Sequence, residues 1–99
     1  METRITKNGS GATLYLEGRL DTSAAQKAMS DIESQLAVIG PVEQLVCDAS
    51  QLEYISSSGL RILLVLRKRF ATFRLKEVNP EVYHVLEMTG FTKMMTVEH

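Results

Sequence analysis

Residues 47–60 read CDASQLEYISSSGL and lead from an apolar strand through a loop into a helix. Three consecutive serines, Ser56, Ser57 and Ser58, stand just ahead of the apolar segment from Leu60 to Leu66. Serine is a favoured N-cap residue because its hydroxyl accepts a hydrogen bond from an unpaired backbone N–H of the first turn. We therefore predict that at least one of the three serines caps this helix. The same N–H groups and the positive end of the helix dipole would stabilise a phosphate on a neighbouring hydroxyl.

The chain ahead of this segment is predicted to begin with a β-hairpin. Residues 3–7 and 12–17 have the composition of strands, and Asn8-Gly9-Ser10-Gly11 between them tolerates the positive φ angles of a tight turn. Leucines alternate with polar residues in the second strand, so one of its faces is predicted to be buried. Gly18 is predicted to end that strand.

A helix and a buried strand follow the hairpin. Gly40-Pro41 stops the helix, and Ser23 with Gln26 fits a capping box at its start. The strand over residues 45–47 comes soon afterwards, so the connection is long enough for a right-handed crossover between parallel strands. Three residues are candidate N-caps of the helix: Asp21, Thr22 and Ser23.

The chain after the serines is predicted to hold two helices and two strands. The first helix runs from Ser57 or Ser58 to Phe70, and Asn79-Pro80 opens the last helix, which Gly90 closes. Alternation of apolar and basic residues from Phe73 to Lys76 predicts a half-buried strand between them. A short final strand is predicted around three apolar residues: Met94, Met95 and Val97.

The composition is that of one soluble domain over residues 1–99 with 44% apolar and 23% charged residues. We predict an α/β fold in which a mixed sheet of four to five strands packs with about three main helices. The net charge of −1 gives no field that would attract nucleic acid or a membrane. The single cysteine, Cys47, is predicted to be a buried thiol, and the lack of a signal or membrane-spanning segment predicts a cytoplasmic protein.

Four short motifs of the chain together resemble the STAS domain, and in particular the bacterial anti-sigma factor antagonists. The serine run before Gly59-Leu60 is similar to that family's signature at a strand–loop–helix junction, and Gly18-Arg19-Leu20-Asp21 is similar to its Gly-x-Leu-Asp turn. The segments 45–48 and 86–91 resemble its central strand and the end of its final helix. Aligned on Gly59-Leu60, the phosphorylated serine of the family falls on Ser57, and Ser56 stands where the antagonists carry aspartate.

The resemblance implies a regulatory binding protein that is not an enzyme and needs no cofactor. Its expected partners are an anti-sigma factor that is also a serine kinase, which would phosphorylate Ser57, and a phosphatase that would restore the serine. Two other functions stay open: an accessory subunit of a membrane transporter, and a scaffold or small-molecule-binding module. The sequence predicts no oligomeric state.

Two aspartates and the serine loop itself are candidate site residues. Asp21 and Asp48 come at or near the ends of successive strands, and loops at the carboxyl ends of strands gather on one side of an α/β sheet. We therefore expect both carboxylates to flank the loop residues Ser56, Ser58 and Gly59. The alternative for each aspartate is a turn or cap residue.

The outward side of the second helix is a candidate docking patch. Arg61, Lys68 and Arg69 surround Val65, an arrangement that suits an acidic partner, although a solvated helix face is the commoner explanation of such charges. His84 is predicted to be solvated, and no Gly-x-Ser-x-Gly elbow surrounds Ser57, so nucleophilic catalysis is not expected. No cluster of metal ligands has suitable spacing.

Overall fold

A computed structural model describes all 99 residues as a five-stranded sheet with four helices. The elements in chain order are β1 (Glu2–Asn8), β2 (Gly11–Leu20), α1 (Thr22–Ile39), β3 (Gln44–Ile55), α2 (Ser57–Arg69), β4 (Thr72–Lys76), α3 (Pro80–Met88), α4 (Phe91–Met94) and β5 (Thr96–Val97). The strands lie side by side in this same order. β1 pairs antiparallel with β2, and all the other pairs are parallel, which confirms the mixed sheet.

The helices lie on one face of the sheet. From β2 to β5 each strand is the parallel neighbour of the one before it, and crossovers between such strands are right-handed, so successive helices fall on the same side. Alternate residues of the strands are buried beneath them, among them Leu14, Leu16, Leu45, Cys47 and Leu75. The opposite face carries mainly polar side chains, including Arg4, Tyr15, Arg74 and Lys76.

The β-hairpin is confirmed, but the second strand is longer than predicted. Asn8 pairs with Gly11, so the turn holds two residues, and Gly9 has a φ of 62°. Gly18 does not end β2, which continues to Leu20. Its φ of 99° belongs to an irregular part of the β2–β3 ladder, where two register shifts keep the strands paired.

Asp21 is the N-cap of α1, and the predicted capping box is wrong. The Asp21 carboxylate accepts a hydrogen bond from the Ala24 N–H at 2.9 Å. Ser23 lies inside the helix, and its hydroxyl donates to the same carboxylate oxygen at 2.9 Å. Gly40, with a φ of 80°, ends the helix as predicted.

β3 is the central strand and runs on much further than its apolar part. It continues for seven residues beyond Asp48 and ends at Ile55, so the predicted loop before the serines is itself strand. Pairing with the end of β2 holds this second half in place, and its polar side chains are exposed.

The C-terminal third has one more helix than predicted. Asn79 caps α3 and Pro80 begins it, as expected, but Gly90 leads into the single-turn helix α4. β5 contains only Thr96 and Val97, so Met94 and Met95 lie outside the final strand. Met95 instead packs into the core.

Candidate functional site

The ends of β2 and β3 bring the turn before α1 beside the serines. Leu20 pairs with Ile55, and the Ser56 N–H donates to the Leu20 carbonyl at 2.9 Å. Asp21 follows Leu20 directly, so it lies next to Ser56 at the carboxyl end of the sheet. This is the edge at which open α/β sheets form binding sites.

Ser56 is the serine that caps α2. Its hydroxyl accepts a hydrogen bond from the Gly59 N–H at 3.3 Å, and its carbonyl accepts one from the Leu60 N–H at 2.9 Å. Ser56 is only 9% exposed, so its hydroxyl is enclosed by the fold. The prediction that one of the serines caps the helix is confirmed.

Ser57 and Ser58 occupy the first two positions of the helix. Ser57 is exposed and Ser58 is half-buried. Because Ser56 supplies the cap, the Ser57 hydroxyl is available at the helix end where backbone N–H groups lack helical partners. The structure therefore separates a buried structural serine from an accessible one.

Gly59 allows α2 to approach the two strands closely. A Cβ atom at this position would lie 2.7 Å from Ile55 Cγ1 and 2.9 Å from Leu20 Cγ, which is closer than real side chains approach each other. The glycine is thus needed for packing, since the same contact sets the position of the serines above the strand ends.

The Asp21 carboxylate accepts two hydrogen bonds, which stabilise its ionised form. The bond from the Ala24 N–H, followed by that from the Ser23 hydroxyl, holds the pKa of this carboxyl below its ordinary value, and the nearby Arg19 charge acts in the same direction. Asp21 is therefore both a cap residue and a negative charge beside the serine loop. The cap is confirmed, and a functional role of the Asp21 charge stays a prediction.

Asp48 does not flank the serines. It lies within β3, paired with Tyr15 on one side and Lys76 on the other, roughly 20–25 Å along the strand from Ser56. Its carboxylate accepts a hydrogen bond from the Ser50 N–H at 2.9 Å, where the strand bulges. The prediction failed because β3 does not end at Asp48.

The four residues of the predicted docking patch lie on the outward side of α2. Arg61, Val65, Lys68 and Arg69 are all exposed, and Val65 keeps 45% of its surface in contact with solvent. The Arg69 guanidinium pairs with Glu33 of α1. The other two cations make no ion pair within the chain.

A further pair at the same end of the sheet was not predicted. The Arg19 guanidinium lies 4.5 Å from the centre of the Tyr54 ring, and both residues are exposed. They are direct cross-strand neighbours on the open face. A longer β3 in the prediction would have placed them together.

A side-chain hydrogen bond joins the start of α3 to this end of β3. Asn79 Nδ2 donates to the Leu52 carbonyl at 2.8 Å while its Oδ1 accepts from the Val82 N–H at 2.8 Å.

His84 is exposed on the same helix, and the His99 ring lies 4.2 Å from that of Tyr83. No three histidine, cysteine or carboxylate side chains come together as a metal site. No helix has both the length and the apolar character required to cross a bilayer.

The family model described as STAS domain matches residues 2–99. The chain belongs to the STAS domain family. This confirms the family that the serine run and the Gly-x-Leu-Asp turn indicated.

Among its relatives, this STAS domain is 30% identical over 86 residues to a Bordetella bronchiseptica protein named as anti-sigma factor antagonist BtrV. The match covers 83% of this chain and 72% of that protein. An anti-sigma factor antagonist from Mycobacterium paratuberculosis has the same fold, with a TM-score of 0.83, 22% identity and coverage of 98% and 84% of the two chains.

A second similar structure is that of the Bacillus protein SpoIIAA in its phosphorylated form. It superimposes with a TM-score of 0.69 at 18% identity, over 97% of this chain and 90% of its own. These comparisons confirm the predicted fold class, and both the Bordetella and the Mycobacterium proteins are named as anti-sigma factor antagonists.

Proposed function

We propose that this STAS domain is an anti-sigma factor antagonist whose partner binding is switched by reversible phosphorylation of Ser57. The observation that carries the proposal is that the serines differ in role. Buried Ser56 caps α2, whereas exposed Ser57 occupies the first helical position and caps nothing. The name of the Bordetella relative and the phosphorylated form of SpoIIAA support it.

The proposed partners are an anti-sigma factor with serine kinase activity and a phosphatase that reverses the modification, all in the cytoplasm. The kinase would reach Ser57 while covering the N-terminus of α2 and the docking patch of Arg61, Val65, Lys68 and Arg69. An exposed apolar residue among cations fits an acidic surface on that partner. The domain itself supplies the acceptor hydroxyl and performs no catalysis.

The switch follows from local electrostatics. A phosphate adds about −1.5 to −2 charges, which the first-turn N–H groups and the helix dipole can accommodate in the free domain. Ionised Asp21 lies beside the same loop and would repel the phosphate. When a partner covers the surface, repulsion and desolvation of the phosphate outweigh the stabilisation by the helix, so the complex dissociates.

Ser56 sets this chain apart from antagonists with aspartate at that position. A neutral cap leaves one negative charge fewer beside the Ser57 phosphate, so the phosphorylated form is better tolerated. Ser58 and Gly59 lie in the first turn of α2: Ser58 is half-buried, and Gly59 brings the helix onto the strands.

The test begins with affinity capture of an ATP-binding kinase-like protein from the native cytoplasm. The purified kinase is then incubated with the domain and ATP, and the modified residue is mapped. Phosphate on Ser57 is expected; phosphate only on Ser56 or Ser58 would contradict the assignment.

Calorimetry with the same kinase measures the switch. Ser57→Asp should weaken binding, Ser57→Ala should bind and resist modification, and Ser56→Asp should fold normally but alter kinase turnover. Ser10→Asp is the matched control because it adds the same charge in the hairpin turn at the opposite end of the sheet. If Ser57→Asp binds as tightly as the wild type, a transporter or scaffold role replaces this one.

A further inference from the structure

β1 is an edge strand with one row of backbone groups facing away from the sheet. Asn8 and Gly11 close the two-residue turn, so alternate residues of β1 bond to β2. Thr3, Ile5 and Lys7 are the residues between them, and their N–H and C=O groups face outward. Such an edge is a template on which another strand can add.

Gln35 of α1 occupies part of this edge. The Ile5 N–H donates to Gln35 Oε1 at 2.7 Å, and Gln35 Nε2 donates to the Thr3 carbonyl at 3.1 Å and to Thr3 Oγ1 at 3.2 Å. In a parallel ladder, one residue of the neighbouring strand donates to residue i and accepts from residue i+2. The Gln35 carboxamide makes this same pair of bonds, so it takes the place of one residue of a sixth strand.

A second copy of β1 is the strand best suited to this edge. In an antiparallel pair about a two-fold axis at Ile5, Thr3 would face Lys7 of the second copy, and Arg4 would face Thr6. Glu2 would face Asn8, so no like charges would be opposed and the strand's own charges would not prevent pairing.

The surface beside the edge also favours such a pairing. Ile5, Val38 and Ile39 line a groove between β1 and α1, and Val38 is 87% exposed. A strand added to β1 would cover part of this apolar surface. β1 contains no proline, and this register places no like charges directly opposite each other.

We propose that Gln35 is a guard residue that closes the β1 edge against pairing with a second copy of this chain. It holds the Ile5 N–H and the Thr3 carbonyl, two of the groups that the antiparallel pair requires. This role is independent of the function proposed for Ser57, since it concerns the free edge of β1, whereas Ser57 follows the carboxyl end of β3.

The test compares the wild type with Gln35→Ala by sedimentation velocity over a range of concentrations and by hydrogen exchange. The wild type should be monomeric with a protected Ile5 amide. Gln35→Ala should form a dimer as its concentration rises, and in the monomer at low concentration its Ile5 amide should exchange roughly tenfold faster. Gln26→Ala, an exposed glutamine on the same helix, is the control and should resemble the wild type.

A second substitution tests the geometry of the dimer. Lys7→Pro removes an outward N–H without breaking the ladder to β2, so Gln35→Ala with Lys7→Pro should return to a monomer. If Gln35→Ala folds poorly, Gln35→Met replaces it: methionine also favours the helix, cannot make either hydrogen bond to β1, and should form the same dimer. A Gln35→Ala protein that stays monomeric at all concentrations, or a dimer that survives Lys7→Pro, would overturn the proposal.

Discussion

The side chain is the same at Ser56, Ser57 and Ser58, but its environment differs at each of the three positions within a single helical turn. Ser56 is buried and capping, Ser57 is exposed, and Ser58 is intermediate. Sequence pattern alone predicts a cap among them, because any of the three can supply the oxygen. Which serine does so depends on where β3 ends, and that is set by its pairing with β2.

Gly59 is the residue on which this arrangement depends most directly. Gly59→Ala would favour the helix by about 1 kcal/mol in propensity, but its Cβ would collide with Ile55 and Leu20. We expect a net loss of about 1–3 kcal/mol in the free energy of unfolding, measured by urea denaturation. Gly11→Ala is the control, since its Cβ would meet other atoms at 3.4 Å or more. Equal stability of the two variants would show that α2 can shift to accept the methyl group.

Asp48 should make stability depend on pH in the acid range. Burial raises the pKa of its carboxyl, but the hydrogen bonds from Ser50 and the charge of Lys76 lower it by more, so the net pKa lies below the ordinary 3.8. A lowered native pKa gives stability that is present above about pH 4 and is lost as the pH falls through the native value.

The corresponding measurement is the free energy of unfolding of Asp48→Asn between neutral and acid pH. The variant should be less stable than the wild type at neutral pH, and the difference should shrink as the pH falls below about 4. Asp31→Asn removes a carboxylate from an exposed pair with Lys27 and should change stability little at neutral pH. A constant difference between wild type and Asp48→Asn at all pH values would mean that the carboxylate is not the source of the effect.

Helix α2 is the element whose sequence pattern was most informative. Leu63 and Leu66 are fully buried, whereas Val65 and Lys68 point outward, as the helical period predicted. Leu63→Ala should therefore cost about 2–5 kcal/mol in urea melts, and Lys68→Ala less than about 0.5 kcal/mol. Similar losses for both would mean that the helix is rotated about its axis.

β3 shows where sequence reasoning was insufficient. Its first half is apolar and was predicted, but Ser50, Gln51 and Glu53 in its second half resemble a loop. They are strand residues because β2 pairs with them and two register shifts absorb the irregularity. The same error separated Arg19 from Tyr54 and placed Asp48 beside the serines, so both misjudged features have one cause. Caps and turns, which depend on neighbours in the chain, were predicted much better.

At the scale of the whole molecule, the central strand connects the core to the candidate site. Cys47 lies fully buried in β3, and Ser56 follows the end of the same strand. Near the opposite edge of the sheet, the Glu98 N–H donates to the Leu75 carbonyl at 2.9 Å, and the Glu98 carboxylate pairs with Arg74. Because β3 is paired on both sides at Cys47 and stays paired with β2 as far as Ile55, we expect the serines to lie on a rigid support.

Cys47 should report unfolding of the entire domain. Burial, with a smaller effect of the Asp48 charge, raises the pKa of its thiol to about 12. In the native protein a thiol reagent therefore cannot reach Cys47, and the thiol is not ionised to the reactive thiolate. Labelling at mildly alkaline pH should then require global opening, and its rate should follow the population of the unfolded state. Leu63→Ala should accelerate labelling by tenfold for about every 1.4 kcal/mol that it costs, while Lys68→Ala should change the rate by less than about threefold. Ser57→Cys in a Cys47→Ala background is the positive control, because its exposed thiol should react at once in the folded protein. Rapid labelling of Cys47 in the wild type, independent of Leu63→Ala, would show that β3 opens locally and that the serines do not stand on a rigid strand.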